Sequence, residues 1–359
     1  MSDAPIQGSV LALVLDDVCE EIRLDEVRQI LGAPALPHRF KDVPGENIRV
    51  ERPPVVQPLQ PLAFGSGENL TGQIKFYDYG VVGLVYQLPF RGSWEELVQL
   101  GSRWMAGSEI ERQTAEIVKQ QMDAIAPAMV KPNGTWLSED YFIFHLIEIP
   151  GIATATEVLA KHGDSIVQLV RGETTRLSEG ERAEILQSSI SYYPHDLAVV
   201  GWNAAVVFDT LSGAETAIQL LEYANSQLLE FRHYDDLLTR ELADVYRSLE
   251  NKGGFFARWR LAKQAAKLQE IVIDVTELTE RADNAIKFLS DMFAARLYRL
   301  VAARVGVPDY KDLVNQKLHT AEELYRFMVE QFHQTRTFIL EVMVVVILVI
   351  ELAFLFKGK

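Results

Sequence analysis

Cysteine is nearly missing: Cys19 is the only one among 359 residues. That excludes a disulfide framework within the chain, argues against a cysteine-based zinc site, and fits a reducing compartment. Cys19 follows Asp16 and Asp17, which raise a thiol's pKa, so it does not read as a nucleophile. Positive charge is also short, with 35 Lys and Arg against 50 Asp and Glu and a net charge of −15. The deficit is uneven: residues 1–210 carry 16 basic against 29 acidic side chains, residues 211–337 carry 17 against 19, and the last 22 balance. An acidic front half repels phosphate backbones, so nucleic acid is not an expected partner.

Recognised catalytic motifs are absent too. The Gly-rich stretch FGSGENLTG (64–72) lacks the Lys-Ser/Thr of a phosphate-binding loop and reads as a turn. There is no G-x-S-x-G, no H-E-x-x-H and no G-x-G-x-x-G. The seven histidines are scattered. His145 lies in an apolar strand, the setting of a core histidine. YYPHD (192–196) places His195 next to Asp196 and EFRHYDD (230–236) places His233 two positions before Asp235, but residues one or two apart on a helix do not face one ligand. No catalytic, cofactor-binding or metal-ligating residue is therefore assigned, and no cofactor is expected. The start, MSDAPIQGSV, lacks the basic and apolar regions of a secretory leader, so the body is expected to stay in the compartment of synthesis.

Up to residue 210, strands and helices mix. Val10–Leu15 reads as a strand and Asp25–Leu31 as a helix. The Pro-rich ERPPVVQPLQPLAF reads as extended loop or edge structure. QIKFYDYGVVGLVYQLPF (73–90) reads as two strands, with Gly80 and Gly83 offering a turn or bulge. Ser93 with Glu96, and Ser108 with Glu111, are capping boxes that start two helices. Strands are expected at 140–149 and 196–209, and helices at 155–171 and near 180–188.

After Thr210 Pro and Gly nearly vanish, and a 4,3 spacing takes over. It runs through Leu261, Ala265, Leu268, Val272 and Val275, and again through Val314, Leu318, Ala321, Tyr325 and Met328. Sustained over several heptads, this predicts a coiled coil or long hairpin. Three helices are expected at about 213–250, 259–305 and 309–356.

Phe338–Phe356 is apolar except for Glu341 and Glu351. Nineteen helical residues span about 28 Å, close to a bilayer's hydrocarbon core, and Lys357 and Lys359 would anchor the far end. The stretch reads as a transmembrane helix; a buried helix in a hairpin core or an oligomer interface is the alternative. Glu341 and Glu351 leave the heptad seam on roughly one side, so they are candidates for a contact with another subunit or a partner's polar group.

The segment LVNQKLHTAEELYRFMVEQFHQTRTFILEVMVVVILVIELAF, with Asn315, Leu340–Glu341 and Glu351, resembles the end of the YagE family, also called the required-for-meiotic-nuclear-division family. FYDYGVVGLVYQL, with Phe76, Tyr79, Gly80, Val81 and Val82, resembles that family's aromatic-Tyr-Gly-Val-Val strand, and HDLAVVGWNAAVVFD its later strand. Gly83 and Leu84 depart from the family pattern. The resemblance implies a membrane-associated protein with a domain of unassigned biochemistry. It supplies no catalytic residue.

In an antiparallel arrangement the turn NKGGFFARWRLAKQAAK (251–267) would point the same way as the C-terminal run. Phe255, Phe256, Arg258, Trp259 and Arg260 combine aromatics with basic groups, the composition of an interfacial lipid contact; RNA and an inward-packed turn are the competing readings.

The expected architecture is α+β: an N-terminal mixed α/β head (1–210), a long antiparallel helical hairpin or coiled coil (211–337), one transmembrane helix (338–356) and a short tail (357–359). The expected function is that of a non-enzymatic tail-anchored scaffold or assembly protein, single-pass in the cytoplasmic (inner) membrane with its body on the cytoplasmic side. It would be a homo-oligomer whose partners are membrane lipid and a protein within the membrane. The alternatives are an enzyme whose site in the head draws on Asp78, His145 and Glu148, and an ion-pathway component at Glu351.

Overall fold

The computed structural model describes residues 5–32, 52–64, 68–107, 109–250, 263–277, 280 and 292–357; for 250, 331–342 and 351–357 it describes the backbone alone. The chain divides into two compact units, Met1–His233 with Arg281–Tyr310, and Tyr234–Glu280 with Lys311–Lys359.

Among the described residues of the first unit, eight strands form one sheet in the order β2-β3-β4-β1-β5-β8-β7-β6. They are β1 Ile6–Ile22, β2 Val55–Phe64, β3 Glu68–Phe76, β4 Val81–Gly92, β5 Met129–Glu148, β6 Ser189–Ile190, β7 Leu197–Val200 and β8 Ala204–Phe208. The described pairings are antiparallel except β5 with β8, which is parallel, so the sheet is mixed.

Strand β1 sits inside the sheet because both of its faces are apolar. Val10, Ala12 and Val14 point to one side, Leu11, Leu13 and Leu15 to the other, and all six are buried. The first side packs in one core with α1 (Leu24–Leu31), α2 (Trp94–Ala106), α3 (Glu109–Ile125), α4 (Ala155–Arg171) and α5 (Glu179–Gln187). Complete capping boxes start α2 at Ser93 with Glu96 and α4 at Thr154 with Glu157.

The Pro-rich stretch becomes β2, an edge strand with an irregular register between Leu59 and Leu62. Pro58 and Pro61 cannot donate to a ladder, and an edge tolerates that loss. The turn from β3 to β4 closes through Tyr77 N–H to the Val81 carbonyl at 2.9 Å. It needs Gly80, whose φ is +89° and whose absent Cβ would lie 1.7 Å from the Cys19 carbonyl oxygen. Residues 196–209, expected as one strand, form the hairpin β7–β8, because Gly201 N–H turns back to the Ala204 carbonyl at 2.8 Å.

The opposite sheet face is crossed by the first part of α6 (Ala214–Glu250). One stripe of this helix makes successive polar contacts with the sheet side: Glu222 to Lys75, Ser226 to Tyr79 at 2.6 Å, Arg232 to Glu139 and His233 to Asp17. Helix α8 (Met292–Val305) belongs to this unit, and its Tyr298 hydroxyl donates to Gln227 of α6.

In the second unit, Leu242 and Val245 of α6 pack with Ala265 and Leu268 of α7 (263–277) and with Ala321 and Met328 of α9 (Val307–Lys357). The buried positions of α9 at Val314, Leu318, Ala321 and Met328 repeat the 4,3 spacing. Lys317 joins Asp235 at 2.5 Å, and Lys267 joins Glu241.

One sequence expectation is overturned here. Among the described residues no helix is long and apolar enough to cross a membrane. The physical reason is length: the apolar side chains described in α9 run only from Met343 to Ile350, about 12 Å of helix against about 30 Å of hydrocarbon. The transmembrane helix over 338–356, the tail anchor, the single-pass inner-membrane location and the ion pathway at Glu351 are therefore withdrawn. The side chains of Glu341 and Glu351 lie outside the described residues, as do Phe255, Phe256, Arg258, Trp259 and Arg260.

Candidate functional site

Strand pairing brings a set of polar side chains to one area of the face that α6 crosses. Thr71 pairs with Gln87, Gln73 with Val85, Leu11 with Gln87, and Ser9 with His145. Directly opposed residues stand about 4.5–5.5 Å apart at Cβ, so Ser9 and His145 are neighbours. Helix α6 contributes Glu215, Ile218, Gln219 and Glu222, spaced i, i+3, i+4 and i+7, which places all four on one stripe. Between sheet and stripe lies a cavity of about 350 Å³, with Leu211 at its rim.

The floor is an ion pair out of water. The Lys75 ammonium donates to the Glu222 carboxylate, and the two side chains are 6% and 5% exposed. Two further oxygens lining the cavity, Ser9 Oγ and Gln219 Oε1, are buried and have no hydrogen-bond partner. Each such group costs about 1–3 kcal/mol when left unmade. The His145 ring is buried, with Nε2 3.0 Å from the Asp209 carbonyl oxygen. A carbonyl only accepts, so Nε2 carries the proton. Burial lowers the His145 pKa, against an opposing pull from the Asp209 carbonyl and carboxylate and the Thr210 carbonyl, and so favours the neutral ring. The cavity thus offers hydrogen-bonding groups on two sides and an apolar wall of Leu11, Val85 and Ile218.

Of the three head residues singled out from sequence, His145 lines this cavity and Asp78 and Glu148 do not. Asp78 lies in the β3–β4 turn, where Arg52 approaches it at 3.5 Å, and Glu148 is exposed at the end of β5. The two His-Asp sequences behave as adjacency requires. His233 turns to Asp17 while Asp235 binds Lys317. Asp196 accepts the Tyr192 and Tyr193 N–H groups while His195 stacks on Tyr193. Among the described residues, no group of three or more His, Cys, Asp and Glu is arranged to hold a metal.

Sequence reading missed Lys75, Glu222, Ser9, Glu215 and Gln219. A signal was available for two of them. Lys75 is the single charge in QIKF and Glu222 the single charge in IQLLEYA, and lone opposite charges in apolar runs invite pairing.

On the helix-bearing face, Asp16, Asp140 and Glu111 lie near one another. Burial first, then the Glu111 and Asp17 charges, push the Asp16 carboxyl up to about 6, while a Ser138 hydrogen bond opposes the rise. Cys19 is buried beside this strand end, and burial followed by the Asp17 charge pushes its thiol up to about 12. Native protein should therefore resist iodoacetamide near neutral pH, and labelling should follow only unfolding, as intact-mass analysis with and without urea would read. Rapid labelling of folded protein would contradict this placement.

The family described as uncharacterized protein MJ0711, N-terminal domain, matches residues 7–215, more than half of the chain and from β1 to the first two residues of α6. A relative, the uncharacterized protein MJ0711 of Methanocaldococcus jannaschii, is 20% identical over 237 residues, which cover 66% of this chain and 72% of that protein. No solved structure matches the chain. The sheet residues lining the cavity, together with Leu211 and Glu215, all fall within the matched span, and on that match the chain belongs to the MJ0711 N-terminal domain family.

Proposed function

We propose that the first unit is a binding module for a small polar molecule, held between the sheet and the first turns of α6. The observation that carries this reading is the pair of buried, unpartnered oxygens, Ser9 Oγ and Gln219 Oε1, on the wall of one cavity. Its volume is at the small end of the range of known ligand sites. Native mass spectrometry of the full chain purified under gentle conditions tests the reading. Wild type should carry a small-molecule mass that Ile218→Trp, which fills the cavity, does not retain. Equal retention by both proteins, or no retained mass in either, contradicts it.

A second reading keeps self-association from the sequence. It is supported by Met343 to Ile350 in α9, eight consecutive apolar side chains that are all 49–61% exposed in the single chain. A helix apolar all round is covered in its working state. A second copy supplies the same surface, and the same helix already carries a packing stripe at Val314, Leu318, Ala321 and Met328. Sedimentation velocity of the full chain should show an oligomer that Val346→Glu with Val349→Glu dissociates; a monomeric wild type sinks the reading. The resemblance to the YagE family enters here as a further proposal, carried by the Phe76–Val82 segment, the stretch of the β7–β8 hairpin and the C-terminal segment with Asn315, Glu341 and Glu351.

A further inference from the structure

Which chemistry the cavity selects follows from what its walls leave unsatisfied. Lys75 and Glu222 neutralise each other, and burial favours the neutral form of His145. The remaining charge on the lining is Glu215, which makes no ion pair among the described residues. One turn along α6 stands Gln219, whose buried Oε1 accepts nothing, and Ser9 Oγ is a third oxygen without a partner. The unmet groups are thus oxygens around one negative charge, a setting that favours a cationic donor. Leu11, Val85, Leu211 and Ile218 line the same space and suit methylene groups. The surplus of acid in residues 1–210 raises the local concentration of cations near the site.

We infer that this cavity takes a small primary ammonium compound with an aliphatic stem, the ammonium meeting Glu215 and Gln219 and the stem lying on Leu11, Val85 and Ile218. This rests on the binding reading above and adds the ligand's class. An ammonium has three donors and no acceptor, which suits the unmet Gln219 Oε1 and Ser9 Oγ beside the Glu215 carboxylate. A free carboxylate would instead have to pull Lys75 from Glu222.

Isothermal titration of the full chain with 1,4-diaminobutane, in about 0.15 M salt to screen the acidic surface, tests the class. Butyrate and 1-butanol serve as controls. Diaminobutane should bind saturably, both controls should fail, and Glu215→Gln should weaken the affinity about tenfold or more. Ile218→Trp should abolish binding while circular dichroism shows the fold intact. Diaminobutane heat that Ile218→Trp leaves unchanged would place the amine on the acidic surface and overturn the inference. Binding of butyrate or butanol in preference would overturn the class while leaving the binding module standing. If no probe binds and native mass spectrometry also finds no retained ligand, both fail together.

Discussion

Glu222→Ala should destabilise the folded chain by about 3–5 kcal/mol, a large share of the 5–15 kcal/mol that typically separates folded from unfolded protein. The loss is not the worth of the Lys75–Glu222 contact alone. With the carboxylate gone, the Lys75 ammonium stays 6% exposed under α6 and has lost the anion it donates to. Desolvation of that uncompensated charge is the larger part of the cost. Lys75→Met should cost a similar amount by stranding Glu222. The double variant Lys75→Met with Glu222→Leu should regain most of the loss, because apolar groups of similar size often replace a buried pair at little cost. Urea titration of the four proteins measures all of this. By contrast, the exposed pair Arg176–Glu179 should contribute no more than about 1 kcal/mol. Two single variants that cost less than Arg176→Ala would mean the pair is wet, and the cavity floor would be wrong.

The second large effect depends on pH. Asp16 binds its proton more tightly folded than unfolded, with a pKa raised from 3.8 to about 6. A group raised in this way contributes stability that is full below the unfolded pKa and is lost as pH rises through the folded one. The window is therefore about pH 4 to somewhat above 6, and the loss is up to about 3 kcal/mol at 1.36 kcal/mol per unit. Asp140 is shifted upward too, burial leading and the Glu111 charge next, so it acts in the same direction. His145 is lowered by burial and acts oppositely, since its stability is lost as pH falls below its unfolded pKa of 6.5. Asp16→Asn isolates the first term. Near pH 8 this variant should be more stable than wild type by up to about 3 kcal/mol, and below about pH 4 the two should converge. Thermal melts across that range read the difference, and a pH-independent gap would show that burial of Asp16 has been misjudged.

How far the sequence could carry these conclusions depended on the reach of each signal. Capping at Ser93–Glu96 is local, and α2 begins where those residues require. The heptad residues Leu318, Ala321 and Met328 are buried as their spacing demands, since one helix face suffices to specify them. Apolar character outweighed the break at Gly201–Asn203 and misled at 196–209. A single Gly201 converts what reads as a strand into a hairpin, and this shows only once the backbone hydrogen bond to Ala204 is formed. The C-terminal run misled for a different reason. Apolar composition was summed over 338–356 with both glutamates included, whereas the apolar side chains described in α9 run only from Met343 to Ile350.

The cavity was the least legible feature, because its walls come from four strands and one helix far apart in sequence. Lys75 meets Glu222 across 147 positions. Nothing local in QIKF or IQLLEYA says which opposite charge each will find. His145 was noticed, but Ser9 beside it is set by the β1–β5 register, which alternation alone does not fix. The neighbours named with His145, Asp78 and Glu148, were chosen for their chemistry; strand direction sends them elsewhere.

The most direct measurement is a crystal structure of the full chain grown with 1,4-diaminobutane, at a resolution that shows ordered small molecules. The account predicts density between α6 and the sheet, within hydrogen-bond distance of Gln219 and Glu215. An α6 seated closer to the sheet, with Ser9 and Gln219 bonded to protein groups and no space between them, would contradict it.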